Sequence, residues 1–307
     1  MRVGMPREIK ADEHRVGLVP ASVRELVHNG HEVIIEAGAG EVIGLHDPDY
    51  QRAGARLAGT PAEIFAEADM IVKVKEPQPG EVAMLREGQI VFTYLHLAPN
   101  PELTRGLVAS GATCIAYETV TNDRGGLPLL APMSEVAGRM SVQAGAHCLE
   151  IEQGGRGMLL GGVPGTLPAQ VVVLGGGVVG TNAARVALGM EADVTILDLS
   201  LPRLSDLDLH FGPALNTAFS TVDMVHELVA TADLVVGAVL VPGAAAPRLI
   251  SKEMVRDMKR GSVLVDVAVD QGGCAETSRP TTHSEPSYLV DEVVLYCVAN
   301  MPGAVAR

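Results

Sequence analysis

The residues best placed for chemistry in this 307-residue chain stand at the ends of apolar, β-branched runs. Lys75 follows the run 70–74, in Lys73-Val74-Lys75-Glu76-Pro77, and His96 follows the run 90–95, in Tyr94-Leu95-His96-Leu97-Ala98. Such runs read as strands, and the carboxyl ends of strands in an open α/β sheet form the ligand crevice. A Lys and a His there suit the holding of a carboxylate and the shuttling of a proton. The plainer reading is a solvated strand-end charge and an ordinary surface or core histidine, and position alone does not decide between them. Arg15, in Asp12-Glu13-His14-Arg15-Val16, carries the fork that fits a substrate carboxylate, but taken by itself it reads as a surface charge. Asp270, in Val269-Asp270-Gln271-Gly272-Gly273-Cys274, follows another apolar run and faces a nicotinamide or simply turns a loop. Asn300 ends the last apolar run, where it caps a helix or holds a cofactor. Cys274 has no identifiable base partner and reads as packing.

The most specific local signal is Val171-Val172-Val173-Leu174-Gly175-Gly176-Gly177-Val178-Val179-Gly180. It reads as a strand, then G-x-G-x-x-G, then a helix over 178–190. Gly175 permits the tight turn, Gly177 lets a pyrophosphate approach the backbone, and Gly180 lets helix and strand pack closely. The helix N-terminus then offers free N–H groups to the anion. A lone glycine motif is weak evidence, but Asp198 ends the next apolar run, where a ribose hydroxyl needs a carboxylate about 20 residues on. That carboxylate would repel a 2′-phosphate, so NAD is expected over NADP.

These residues need elements to position them. In the first part, strand-like runs at 2–5, 32–36, 70–74, 89–94 and 112–117 alternate with helix-patterned segments such as 20–29 and 101–110. Asn29-Gly30 is a helix stop. Alternation of this kind predicts a parallel sheet with right-handed crossovers. Near 125–132 the pattern breaks. A longer helix is expected over 134–150 with Ser134 as its N-cap. A second series follows, with strands at 170–174, 193–197, 215–219, 233–238, 262–267 and 293–298. The expected fold is thus α/β: two Rossmann-like doubly wound parallel-sheet domains, at 1–130 and 153–307, joined by a helix at 131–152, with the active site in the cleft between them.

Composition supports this and excludes other classes. Aromatics are 3% and Trp is absent, while hydrophobic residues reach 47%. The cores must therefore be built of Val, Leu, Ile, Ala and Met, as in sheets buried on both faces. With 23 Lys+Arg against 37 Asp+Glu the formal charge is −14, which argues against nucleic acid as a partner. Cys114, Cys148, Cys274 and Cys297 form no CxxC pair and no metal spacing, and read as free thiols of a reducing cytoplasm. No cleavable signal opens the chain. Its most apolar stretch, 233–247, is broken by Gly and Pro and falls short of the ~18–20 residues of a membrane helix.

Taken together, the motifs go beyond a generic dinucleotide fold. The chain resembles bacterial L-alanine dehydrogenases from end to end. The resemblance is carried by Arg2-Val3-Gly4-Met5-Pro6-Arg7-Glu8, Arg15-Val16, Ala37-Gly38-Ala39-Gly40, the Lys73 and Tyr94 blocks quoted above, and Ala116-Tyr117-Glu118-Thr119. It continues through residues 129–137, the glycine motif, residues 237–243, residues 270–274, and Cys297-Val298-Ala299-Asn300-Met301-Pro302-Gly303. The resemblance implies reversible oxidative deamination of L-alanine to pyruvate and ammonia with NAD, without a metal. It implies that Arg15 and Lys75 hold the substrate, that His96 is the acid/base, and that Asp270 supports proton transfer. It implies cofactor contacts at Ser134, Gly175, Gly177, Val178, Val179, Gly180, Asp198, Arg203, Ser220, Val239, Leu240, Val267, Asp270, Asn300 and Met301. A soluble, cytoplasmic homo-oligomer, hexameric in the family, is expected.

Two alternatives follow from the same residues. One is the NAD-binding component of a proton-translocating transhydrogenase, against which the Lys75 and His96 blocks speak. The other rests on the end of the chain. Family members continue for several dozen residues past Val305-Ala306-Arg307 and complete the first domain there, and Ala306 stands where they usually carry proline. A first domain without that return, exposing apolar surface that favours association, is the corresponding expectation, together with NAD binding without turnover.

Overall fold

The computed structural model describes residues 1–98, 100–239 and 246–307. They form two compact units, residues 1–130 with 303–307 and residues 131–302. Each unit has its own sheet.

In the first unit, β1 (Arg2–Met5), β2 (Glu32–Glu36), β3 (Arg56–Ala58), β4 (Met70–Val72), β5 (Ile90–Thr93) and β6 (Thr113–Ala116) pair in the order β3-β2-β1-β4-β5-β6. Every pairing is parallel. Successive side chains of a strand point to opposite faces, and here both faces are covered. Val33 and Ile35 pack with Val23 and Tyr50, whereas Ile34 packs with Ile64, Phe65 and Ile71. This is why β2 reads as an unbroken apolar run rather than an alternating one. The helix Pro20–His28 starts on proline and stops at Asn29, and Gly30 takes the left-handed φ of +81° that a helix stop uses. The order reverses at β1 and β4, which opens a crevice at their carboxyl ends.

In the second unit, β7 (Gln170–Leu174), β8 (Asp193–Asp198), β9 (Leu215–Phe219), β10 (Leu234–Gly237), β11 (Val263–Asp266), β12 (Ser287–Val290) and β13 (Val293–Tyr296) pair in the order β12-β13-β11-β10-β7-β8-β9. All pairings are parallel except β12 with β13. Val171, Val173, Leu234 and Val236 face one core, and Val172, Leu174 and Val235 face the other. The switch point lies between β7 and β10, where the glycine motif begins.

The long helix runs Ala131–Cys148, so Ser134 lies within its first turn and is not its N-cap. Pro132 explains the earlier start, since proline is tolerated in a first turn that lacks N–H partners. This helix packs within the second unit. A Cβ at Gly138 would sit 2.2 Å from the Val179 carbonyl, so only glycine allows the approach to the helix Val178–Gly189. Residues 303–307 group with the first unit. All four cysteines are free thiols. Among the described residues, no helix is long and apolar enough to cross a membrane.

Candidate active site

At the switch point of the first unit, the chain after β4 is pinned by buried charges. Lys73 is 1% exposed, with its Nζ 2.8 Å from Glu81 Oε1 and 3.2 Å from Glu8 Oε2. Glu8, in the segment after β1, also accepts the Val74 N–H at 2.6 Å, and Glu81 accepts the Gln78 N–H at 2.8 Å. Burial by itself would lower the Lys73 pKa, but the two carboxylates outweigh it and hold the ammonium above the usual lysine range. Burial raises Glu8 despite the opposing pull of Lys73. Both directions are consistent, because one ammonium between two desolvated carboxylates leaves one negative charge in excess. Lys75 follows two residues on. It is 7% exposed, so it is not the solvated strand-end charge of the plainer reading. Its carbonyl accepts the Thr93 hydroxyl at 2.9 Å, which ties the end of β4 to the end of β5.

Arg15 is likewise no surface charge. Its side chain is 10% exposed, and its Nε and Nη2 donate to the two oxygens of Glu13 at 2.8 and 2.6 Å. The Glu13 carboxylate is fully buried and also accepts the Arg15 backbone N–H at 3.0 Å. A planar fork bound to a planar carboxylate has its orientation set.

Past β5, Tyr94 and Leu95 are buried and His96 is exposed. The His96 ring stacks on Tyr94 with centroids 5.9 Å apart and planes 14° apart. Tyr94 meets Tyr117 edge-on at 5.0 Å and donates its hydroxyl to the Leu129 carbonyl. Burial raises the Tyr94 pKa, the Arg15 charge opposes that and the Glu118 charge adds to it, so Arg15 and Glu118 both bear on this ring. Glu118 accepts the backbone N–H groups of Leu95 and His96. The structure thus gathers Arg15, Tyr94, His96 and Glu118. Two carboxylates unassigned in the sequence touch candidate residues, Glu13 on Arg15 and Glu118 on His96, and two more, Glu8 and Glu81, hold the Lys73 that precedes Lys75. Glu8 and Glu118 lie within motif blocks, but a glutamate between apolar runs gives no local sign of the partner it will meet.

In the second unit the glycine turn has the form its motif predicts. Gly175 has φ +100°, and a Cβ at Gly180 would fall 1.8 Å from the Gly175 carbonyl oxygen. A Cβ at Gly177 would meet nothing within 4 Å. The helix beginning at Val178 has no side-chain cap, so its first N–H groups are left without a capping side-chain acceptor. Val178 is exposed and Val179 buried beneath it. Asp198 is the last residue of β8. One of its oxygens accepts the Gly176 N–H at 2.7 Å and the other the Ser200 N–H at 2.8 Å. Arg203 donates to the Gly176 carbonyl and to Thr181 Oγ1, both at 2.6 Å. Ser220 donates its N–H to the Asp198 carbonyl at 3.0 Å, and Val239 lies against Gly175. An open cradle, uncapped N–H groups and a strand-end carboxylate fit a dinucleotide. Leu240 lies outside the described residues.

Val267 follows β11 and donates its N–H to the Gly237 carbonyl at 3.0 Å. Asp270 is exposed on the 3-10 turn Val269–Gln271, and one of its oxygens accepts the Asn300 N–H at 3.4 Å. Asn300 has a left-handed φ of +59°, and its carbonyl is 3.2 Å from His283 Nε2. Met301 is buried and Ser134 half-buried. Cys274 is 0% exposed, and burial, aided by Asp266, pushes its thiol well above the ordinary range, as suits a packing residue.

The fold and these two sites define a dinucleotide-binding α/β protein with a separate cluster of a fixed arginine and a histidine. Residues 4–137 match the family model for the alanine dehydrogenase/PNT N-terminal domain, and residues 141–307 match the one for its C-terminal domain. The chain belongs to the alanine dehydrogenase/PNT family. It is 63% identical over its full length to an alanine dehydrogenase of Halomonas elongata, of which it covers 83%. A solved L-alanine dehydrogenase superposes with a TM-score of 0.96 at 53% identity, covering all of this chain and 84% of that one. A transhydrogenase from Sinorhizobium meliloti superposes with a TM-score of 0.87 at 29% identity, covering all of this chain and 88% of that one.

Proposed function

We propose that this chain catalyses the NAD-dependent oxidative deamination of L-alanine to pyruvate and ammonia, and the reverse reaction. The observation that carries the reading is the cluster at the strand ends of the first unit. It holds Arg15, fixed on Glu13, near an exposed imidazole stacked on an ordered tyrosine, with the buried Lys75 two residues beyond the pinned Lys73. Cations suit the one carboxylate that alanine and pyruvate share, and an imidazole is the side chain whose chemistry suits moving protons near neutrality. Nothing in a hydride exchange between two nicotinamide nucleotides needs that pair of cations, and the identity to the transhydrogenase is the lower one.

Arg15 and Lys75 hold the substrate carboxylate and thereby fix Cα. His96 accepts the proton that the substrate ammonium gives up and passes it to solvent, and is then free to accept a second from the water that adds to the iminium. It returns that second proton to the departing nitrogen, and the hydroxyl proton of the resulting carbinolamine leaves with the nitrogen, as ammonium. Asp270 supports proton transfer. NAD, when bound, supplies the hydride acceptor. Gly175, Gly177, Gly180 and the N–H groups of Val178 and Val179 hold its pyrophosphate, and Asp198 takes the ribose hydroxyl. Arg203, Ser220, Val239, Leu240, Ser134, Val267, Asn300 and Met301 complete the cofactor contacts. Residues 1–130 are then the substrate domain and 153–307 the NAD domain. A cytoplasmic homo-oligomer, hexameric as the resemblance implies, belongs to the same reading, and a size measurement tests the assembly.

The test is NADH formation by the purified chain from L-alanine and NAD alone. Rapid reduction in a single turnover also excludes a chain that binds NAD without turning over. Hydride exchange between nucleotides with no alanine-dependent NADH would sink the reading. His96→Ala is expected to lose turnover while NADH affinity stays near that of the parent. Asp198→Ala is expected to erode the preference for NAD over NADP, and an unaltered preference would remove the ribose assignment.

A further inference from the structure

We propose that Glu118 is a positioning residue for His96, acting through the backbone rather than through the imidazole. The inference rests on the alanine dehydrogenase reading for its kinetic consequences, and on geometry for the rest. His96 has φ +46°, in the left-handed region that a residue with a Cβ enters at a cost unless its surroundings hold it there. One carboxylate holds its backbone. Glu118 Oε1 accepts the His96 N–H at 2.7 Å and the Leu95 N–H at 3.1 Å, and Oε2 lies 3.3 Å from that same Leu95 N–H.

Two consecutive N–H groups aimed at one oxygen require the chain to turn there. The left-handed residue is that turn, and it ends the line of β5 so that the ring lies over Tyr94. The carboxylate is anchored from the neighbouring strand, because Glu118 sits in the 3-10 turn Tyr117–Thr119 directly after β6. Tyr117 in that turn packs edge-on against both Phe92 and Tyr94, at 4.4 and 5.0 Å. The ends of β5 and β6 are thereby one rigid piece, with the imidazole at its tip. Because Oε1 accepts both N–H groups, an amide oxygen at the same place can do so as well.

Four variants of the full chain test this. Glu118→Ala is expected to lower kcat for alanine about 100-fold with KM changed little, since an acid/base group misplaced by about 1 Å loses on that order while Arg15 and Lys75 still bind the carboxylate. Glu118→Gln keeps the acceptor oxygen and should recover kcat to within about fivefold, on the same geometric argument. In a His96→Ala background, adding Glu118→Ala should cost no further kcat, because groups that act as one unit are non-additive. Hydrogen exchange of a peptide spanning residues 94–97 gives a readout independent of turnover. Glu118→Ala should speed exchange there, and Glu118→Gln should leave it slow. The proposal is overturned if Glu118→Ala keeps its kcat, if Glu118→Gln is as damaged as Glu118→Ala, if the double variant loses a further factor, or if exchange is unmoved. A parent chain that makes no NADH from alanine fails the functional reading, and exchange then still decides whether Glu118 holds the backbone of His96.

Discussion

At the scale of single residues, the first unit uses buried carboxylates to hold Lys73 and Arg15 in place, and the half-buried Glu118 to hold the backbone of its histidine. The sharpest case is Lys73 between Glu8 and Glu81. A buried ion pair is weak evidence of net stability, but removing one partner strands the other. Lys73→Met leaves two desolvated carboxylates and should cost about 3–5 kcal/mol, read as a lowered denaturant midpoint. The pH dependence has a definite sign. Lys73 is held above its ordinary 10.5, so its contribution is complete below that value and is lost as pH rises through the folded one. The gap in stability between parent and variant should therefore narrow in alkali; a gap that stays constant there would contradict the shift. Glu8 is raised above 4.5, so the native state is the better proton binder just above that value and stability falls as pH rises through the window. Glu13 plays the analogous part for Arg15. Glu13→Ala frees the fork and should raise the KM for alanine roughly tenfold, as lost preorganisation weakens binding, with kcat changed much less. An unaltered KM would show that Arg15 needs no support.

At the scale of elements, the two glycines at the helix entry make separable predictions. Gly180→Ala drives a methyl to 1.8 Å from the Gly175 carbonyl, so the helix must move off the strand. Both thermal stability and NADH affinity should fall. Gly177→Ala meets no atom within 4 Å, and its backbone φ of −68° suits any residue. It should keep the melting temperature and still weaken NADH in a fluorescence titration; normal NADH affinity would remove Gly177 from the pyrophosphate site. These glycines were legible because their spacing encodes a local shape. So were the strands buried on both faces, since an unbroken β-branched run such as Val171-Val172-Val173 needs no tertiary information to be recognised. The strand Arg56–Ala58 was not legible: three residues with no β-branched member become a strand only by pairing with β2. Nor was Ser287–Val290, an antiparallel edge strand in a series read as wholly parallel. The same limit governed the site. Arg15, Lys75 and His96 could be named from their places in motifs. Glu13 is close to Arg15 in sequence, but Glu118 is distant from His96, and Glu8 from the Lys73 that precedes Lys75, and these two acquire their roles only when strands that are neighbours in the sheet bring them together.

At the scale of the whole molecule, each unit repeats one plan, a strand order that reverses beside its first strand, and each places its candidate residues at the carboxyl ends around that reversal. The net charge of −14 identifies no ligand, so attraction for an anionic substrate has to be local. It is local in both units: fixed side-chain cations in the first, and uncapped backbone N–H groups in the second. The two kinds of site predict different responses to ligand. A ligand that binds only the native state stabilises it by about 2.7 kcal/mol at about 100 times its dissociation constant. NADH at that excess should raise the melting temperature and slow hydrogen exchange most at residues 175–180 and 198–203, where the turn's own bonds from Asp198 and Arg203 already order the backbone. Pyruvate added to the NADH-loaded chain should slow exchange next at residues 13–16 and 94–97, around Arg15 and His96. If NADH by itself slowed exchange chiefly along the first sheet and left the glycine turn unchanged, the division of labour between the two units would be reversed.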